Sequence, residues 1–104
     1  MTASIKLSAK RKGNVADIKS LLFHPMETGS RIDPDNGNIV PANYITQLIF
    51  TNNDKQVMVA NFSTAVSKNP FFGFSFEGAK AGDVVKAAWV DNLGQTDEIE
   101  TQLA

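Results

Sequence analysis

Apolar and polar residues alternate with a period of two along much of this chain. Ala3, Ile5, Leu7 and Ala9 interleave with Ser4, Lys6, Ser8 and Lys10, the pattern of a strand with one face buried and one in water. The segments YITQLIFT (44–51), QVMVANF (56–62), FFGFSFE (71–77) and VVKAAWVD (84–91) follow, each rich in the β-branched and aromatic residues that suit a pleated surface. TDEIETQ (96–102) reads as a short last strand. Between them lie compositions that supply tight turns or positive φ: Pro34-Asp35-Asn36-Gly37, Asn52-Asn53-Asp54, the stretch 78–82, and Asp91-Asn92-Leu93-Gly94.

One segment fits two periods. NVADIKSLLF (14–23) puts Val15, Ile18 and Leu22 on a helical face, with Asn14 and Asp17 as a possible cap. As a strand it puts Ala16, Ile18 and Leu22 on one side. About seven short, regularly spaced strands make a solitary helix the exception, so a strand is expected. The predicted fold is all-β: an immunoglobulin-like β-sandwich in a single domain spanning residues 1–104.

The faces of these strands differ. Phe72, Phe74 and Phe76 oppose Gly73, Ser75 and Glu77, a half-buried strand. Elsewhere both sides are apolar: Ile45 and Ile49 oppose Tyr44, Leu48 and Phe50, and Val85, Ala87 and Trp89 oppose Val84, Ala88 and Val90. If one side fills the core, the other points apolar groups outward on several strands, and a contiguous patch of that kind marks an interface. Trp89 is expected in the core with Phe72, Phe74 and Phe76 as its partners across the sandwich.

Length and composition add bounds. A chain of 104 residues buries roughly 60–70% of its unfolded surface, enough for a core without staples. There is no cysteine, which removes disulfides, thiolate metal sites and cysteine nucleophiles. The net charge of −1 argues against a dedicated nucleic-acid binder. Basic residues gather early: Lys6, Lys10, Arg11, Lys12, Lys19 and Arg31 face only Asp17 and Glu27. Residues 1–13 contain no apolar run of signal-peptide length, and no stretch reads as a membrane span; alone, this predicts a cytoplasmic protein.

Candidate chemistry is sparse. His24 is the sole histidine and has no second ligand at transition-metal spacing. DPDNGN (33–38) approaches a calcium loop, but its glycine falls at the fifth position and no glutamate stands at the twelfth. Asn36-Gly37 is better explained as a hairpin turn. Ser67 and Lys68 are adjacent, so on an extended chain they point to opposite faces and make no catalytic pair. Asn61-Phe62-Ser63 matches a glycosylation acceptor, a pattern too common to act on, and no phosphate-binding glycine loop is present. Neither catalytic residues nor a cofactor or metal is expected.

The fragment HPMETG (24–29) has a structural explanation. Pro25 holds His24 extended and cannot donate to a ladder, so a strand ends there; Gly29 permits a turn. Between them Met26, Glu27 and Thr28 are expected as a displayed loop, with Arg31 just beyond. Displayed polar loops on rigid sandwiches often carry binding. Ser67, Lys68 and Asn69, in the loop before the 71–77 strand, join His24, Glu27, Thr28 and Arg31 as a candidate recognition surface.

These pieces in this order carry a resemblance. HPMETG followed by Arg31, Gly37, Pro41, VSKNP (66–70), Gly82-Asp83 and WVDNLGQ (89–95) resemble the SoxZ family, the cysteine-free subunits of the SoxYZ carrier in bacterial thiosulfate oxidation. A turn glycine expected near 53–55 is replaced by NDK, and residue 23 is a bulky Phe. The resemblance implies an immunoglobulin-like sandwich paired with a SoxY-like subunit, whose C-terminal Gly-Gly-Cys-Gly-Gly arm holds the sulfur intermediate. It implies transient docking to a c-type cytochrome, a sulfate-releasing hydrolase and a sulfur dehydrogenase. It also implies residence in the periplasm, reached by export with the partner without a signal peptide of its own, in place of the cytoplasm. The alternative is a stand-alone immunoglobulin-like module binding a small anion through its basic N-terminal edge, or a protein partner.

Overall fold

A computed structural model describes residues 4–104. Seven strands form in chain order: β1 (Ile5–Lys12), β2 (Val15–Leu22), β3 (Ile45–Asn52), β4 (Lys55–Asn61), β5 (Phe71–Glu77), β6 (Val84–Asp91) and β7 (Thr96–Gln102). They make a three-stranded sheet ordered β1-β2-β5 and a four-stranded sheet ordered β4-β3-β6-β7, all pairs antiparallel. The fold is the expected all-β sandwich. The ambiguous 14–23 segment is strand β2, with Ala16, Ile18 and Leu22 buried on one face. Ala3, where the first strand was expected to begin, lies outside the described residues.

The two inner faces meet over Ile18, Leu22, Ile45, Leu48, Phe50, Val85 and Trp89, among the other buried residues. A register shift between Ile45 and Gln47 in the β3–β6 pairing corrects the expected faces of β3. The extra residue flips the parity, so that Ile45, Leu48 and Phe50 all point inward. Ile49 is left outward, in register with Val59 and Ala88. With Val90 they form the apolar centre of the four-stranded sheet's outer face, the contiguous patch that the two-faced strands predicted.

The sheets close along β1 and β7. There Ser4 donates from both its backbone N and its Oγ to Asp97 Oδ2, at 3.0 and 2.6 Å, and the Trp89 indole N–H donates to Ser4 Oγ at 2.9 Å. These two donors hold the Asp97 carboxyl below the usual range, the Ser4 hydroxyl being the larger cause. Trp89 is buried as expected, but its aromatic neighbour is His24, with ring centroids 5.2 Å apart and edge-on. Phe72 and Phe74 pack instead on Phe50, at 5.8 and 4.7 Å, and Phe76 stacks on Phe74. The expected pairing of Trp89 with these phenylalanines is therefore wrong: β5 and β6 lie in different sheets at opposite sides of the core.

The missing glycine at 53–55 has a local explanation. Asn53 and Asp54, the two residues between β3 and β4, have φ of 50° and 66°. A two-residue hairpin of this hand needs two left-handed residues, and Asn and Asp are the non-glycine residues that tolerate it best.

Candidate functional site

Three sequence motifs far apart in the chain meet at one pole of the sandwich. HPMETG leaves β2, VSKNP enters β5, and WVDNLGQ turns from β6 into β7. His24 and Asn69 exchange bonds: the His24 N–H donates to Asn69 Oδ1 at 3.1 Å, and the Asn69 N–H to the His24 carbonyl at 3.1 Å. Asn69 takes φ of 51°, which a short amide side chain tolerates. The His24 ring then reaches across to β6, with Nε2 3.2 Å from Asp91 Oδ2.

This geometry corrects the expectation that His24 is displayed. The residue is only 5% exposed, and the Asp91 side chain is fully buried. Nδ1 accepts the Met26 N–H at 3.1 Å, so the ring proton sits on Nε2 and donates to the carboxylate. The other Asp91 oxygen accepts the N–H groups of Leu93 and Gln95, at 3.0 and 2.8 Å. Every lone pair and proton of the imidazole is engaged within the fold. A histidine that must relay a proton needs one nitrogen facing substrate, and neither does here. His24 is a buried clasp that fixes the ends of β2, β5 and β6 together.

Met26 is not displayed either. It adopts φ of 50° and turns its side chain into the core, where its sulfur accepts the Ile45 N–H at 3.3 Å. Gly29 has φ of 87°, and a Cβ there would stand 3.2 Å from the Ala42 Cβ, so both conformation and space require glycine. The chain then runs out as an irregular arm, closed by bridges between Glu27 and Asn43 and between Ile32 and Ile39. Its tip is the expected turn: Asp33 and Asn36 bond the backbone N–H groups of Asp35 and Asn38 with their own side chains, and Gly37 takes φ of 71°.

The remaining candidates divide. Glu27 is partly buried and holds the exposed Arg31, whose Nε lies 2.9 and 3.2 Å from the two carboxylate oxygens. Bonding and charge from Glu27 raise the Arg31 pKa further. Thr28 is exposed and bonds Ser30. Ser67, Lys68 and Asn69 are exposed. Thus Thr28, Arg31, Ser67, Lys68 and Asn69 offer side chains to solvent around the buried clasp, while His24 supports them from below. Of the cations, Arg31 is paired, and Lys68 has no acidic partner among the described residues.

The sequence matches the family described as sulphur oxidation protein SoxZ over residues 5–102, nearly the whole chain. The chain belongs to the SoxZ family. No curated protein is matched by the sequence. The residues that carried the SoxZ resemblance in the sequence are the ones that gather here: His24, Asn69 and Asp91 each come from a different motif, and His24 bonds both of the others. Asp91 and Asn92 were missed as site residues. Asn92 clasps the arm, accepting the Tyr44 N–H and donating to the Ala42 carbonyl at 2.8 and 2.9 Å. Asp91 was findable: Val85, Ala87, Trp89 and Asp91 share a face by period two, and a carboxylate ending a buried row calls for a buried partner. The sole histidine was the candidate.

Proposed function

We propose that this SoxZ-family chain is the non-catalytic subunit of a heterodimeric sulfur-intermediate carrier in thiosulfate oxidation. It pairs with a SoxY-like subunit whose C-terminal cysteine arm holds the substrate, and it helps present that arm to the cytochrome, hydrolase and dehydrogenase of the pathway. The family match over residues 5–102 carries this reading. The lack of any cysteine supports it: a sulfur intermediate held as a disulfide or thiosulfonate needs a sulfur attachment point, which must come from another chain. A histidine with both ring nitrogens engaged supports a structural rather than a catalytic role. The apolar outer patch of Ile49, Val59, Ala88 and Val90 supports a subunit that works while covered. The complex acts in the periplasm, to which the pair is exported together.

Co-expression with the neighbouring coding region, followed by native mass spectrometry, tests the proposal. The expected species is a one-to-one complex with a small protein ending in a cysteine-bearing arm, alkylated on that cysteine alone. Recovery of this chain without such a partner refutes it. The exposed lysines Lys6, Lys10, Lys12 and Lys19, all on the outer face of the three-stranded sheet, favour as second reading a stand-alone anion-binding module. That reading requires saturable sulfate or thiosulfate binding by the lone chain.

A further inference from the structure

Each sheet has two edges, and three of the four are defended. β1 carries Lys6, Lys10, Arg11 and Lys12 and lies against β7 across the seam. β7 carries Asp97, Glu98 and Glu100. β4 opens with Lys55, and its pairing to β3 is broken by a register shift. Charges and bulges of this kind are how sheets keep foreign strands from adding to them.

The β5 edge has no bulge, and its one charge is the terminal Glu77. Its sequence is FFGFSFE, with no lysine, no internal proline and an unbroken register against β2. Which of its backbone groups face outward follows from the ladder. The Leu22 N–H donates to the Pro70 carbonyl, so in antiparallel alternation Phe72, Phe74 and Phe76 bond β2. The N–H and C=O groups of Phe71, Gly73, Ser75 and Glu77 point to the free edge, and all four residues are exposed. No other backbone group among the described residues bonds them. Phe71 is 65% exposed, and Phe72, Phe74 and Phe76 are only half-buried although they point inward. The sandwich is thus unfinished at this side, short of one strand.

We propose that the β5 edge receives an extended segment of the partner subunit, which adds as a fourth strand to the three-stranded sheet. The inference rests on the heterodimer proposed above. Backbone donors and acceptors at strand spacing are complemented only by another extended backbone. The same guest strand must be apolar at alternate positions, because every second side chain falls over the half-buried rings of Phe72, Phe74 and Phe76. Charge fixes its ends: the exposed Lys68 precedes the edge, and Glu77 closes it. An acidic residue therefore sits beside Lys68, and a neutral or basic one beside Glu77.

Hydrogen exchange on the lone chain and on the intact heterodimer reads this directly. In the complex the Gly73 and Ser75 amides exchange at least about tenfold more slowly, since each acquires an acceptor. Ser75→Pro deletes one outward donor without touching the β2 ladder, and proline is tolerated on an edge whose N–H faces solvent. It weakens heterodimer affinity about tenfold or more relative to Ser75→Ala, which equally loses the Ser75 hydroxyl bond to Asp17. A heterodimer whose Gly73 and Ser75 amides exchange as in the lone chain overturns the inference and leaves the carrier proposal standing, as does equal affinity of the two variants. Protection of these amides in the lone chain at high concentration assigns the edge to a second copy and also overturns it. If no heterodimer forms, both proposals fall.

Discussion

Replacing His24 by alanine should be among the most damaging single changes in this protein. The substitution removes a buried ring that stands edge-on to Trp89 at 5.2 Å, a contact of about 0.5–1.5 kcal/mol beyond its area. It takes the Nε2 donor from a fully buried carboxylate and the acceptor from the Met26 N–H. Each orphaned buried group costs about 1–3 kcal/mol. These overlap with the void left by the ring, and losing a buried aromatic ring to alanine commonly costs about 3–5 kcal/mol in all. Against a domain stability of about 5–15 kcal/mol, that is a large share. Urea unfolding followed through Trp89, the only tryptophan, measures it without a label. With a urea slope of about 1–3 kcal/mol per molar, the midpoint should fall by roughly 1 M or more. Asp91→Asn in a double-mutant cycle should show coupling of about 0.5–3 kcal/mol. A His24→Ala midpoint within about 0.2 M of wild type, judged against the same slope, would mean that the ring is in solvent and the clasp does not exist.

The other predictions concern separate parts of the molecule. Because Ser4 holds the Asp97 carboxyl below its unfolded value, the carboxylate's contribution is complete above about pH 4 and is lost as pH falls through the folded value. Ser4→Ala should therefore lie furthest below wild type at neutral pH and draw closer in acid, leaving a pH-independent gap from the lost Trp89 bond; thermal melts from pH 7 to 2 check this, and a constant gap refutes it. Asp54→Gly should stabilise the β3–β4 hairpin by about 0.5–1 kcal/mol by relieving a left-handed residue, read as a raised urea midpoint. Lys68→Glu should leave stability within about 0.5 kcal/mol of wild type and weaken heterodimer affinity, since it sets like charges side by side at the start of the β5 edge. It should slow thiosulfate-dependent turnover in the reconstituted system, and unchanged turnover removes Lys68 from the recognition surface.

The strands from β4 to β7 were legible nearly to the residue because each is a short run bounded on both sides by turn chemistry. The face of β3 was not, since a single bulged residue reverses parity and leaves no mark in composition. Around HPMETG, the proline and glycine located the end of the strand and the turn, but not the direction of His24. The intervening Met26 takes a left-handed φ, which turns the backbone by a step that alternation cannot foresee. The partner of His24 lies 67 residues away in sequence. Trp89 was correctly placed inside and wrongly paired, because burial follows from pattern whereas neighbours follow from which strands share a sheet.

The seam between β1 and β7 sets the order of folding. Ser4 meets Asp97, and Arg11 Nε donates to the carbonyl of Ala104, each contact joining residues 93 positions apart. The first strand finds most of its cross-sheet contacts only once β7 has been made. Such long-range pairing places folding among slow β topologies, in milliseconds to seconds. At about 5–20 residues per second of synthesis, the β1–β2 hairpin waits several seconds with its inner face uncovered. A chain of this design depends on whatever shields it in that interval, and mutations in β7 should first reduce the yield of soluble protein, before any loss in the folded state is measured.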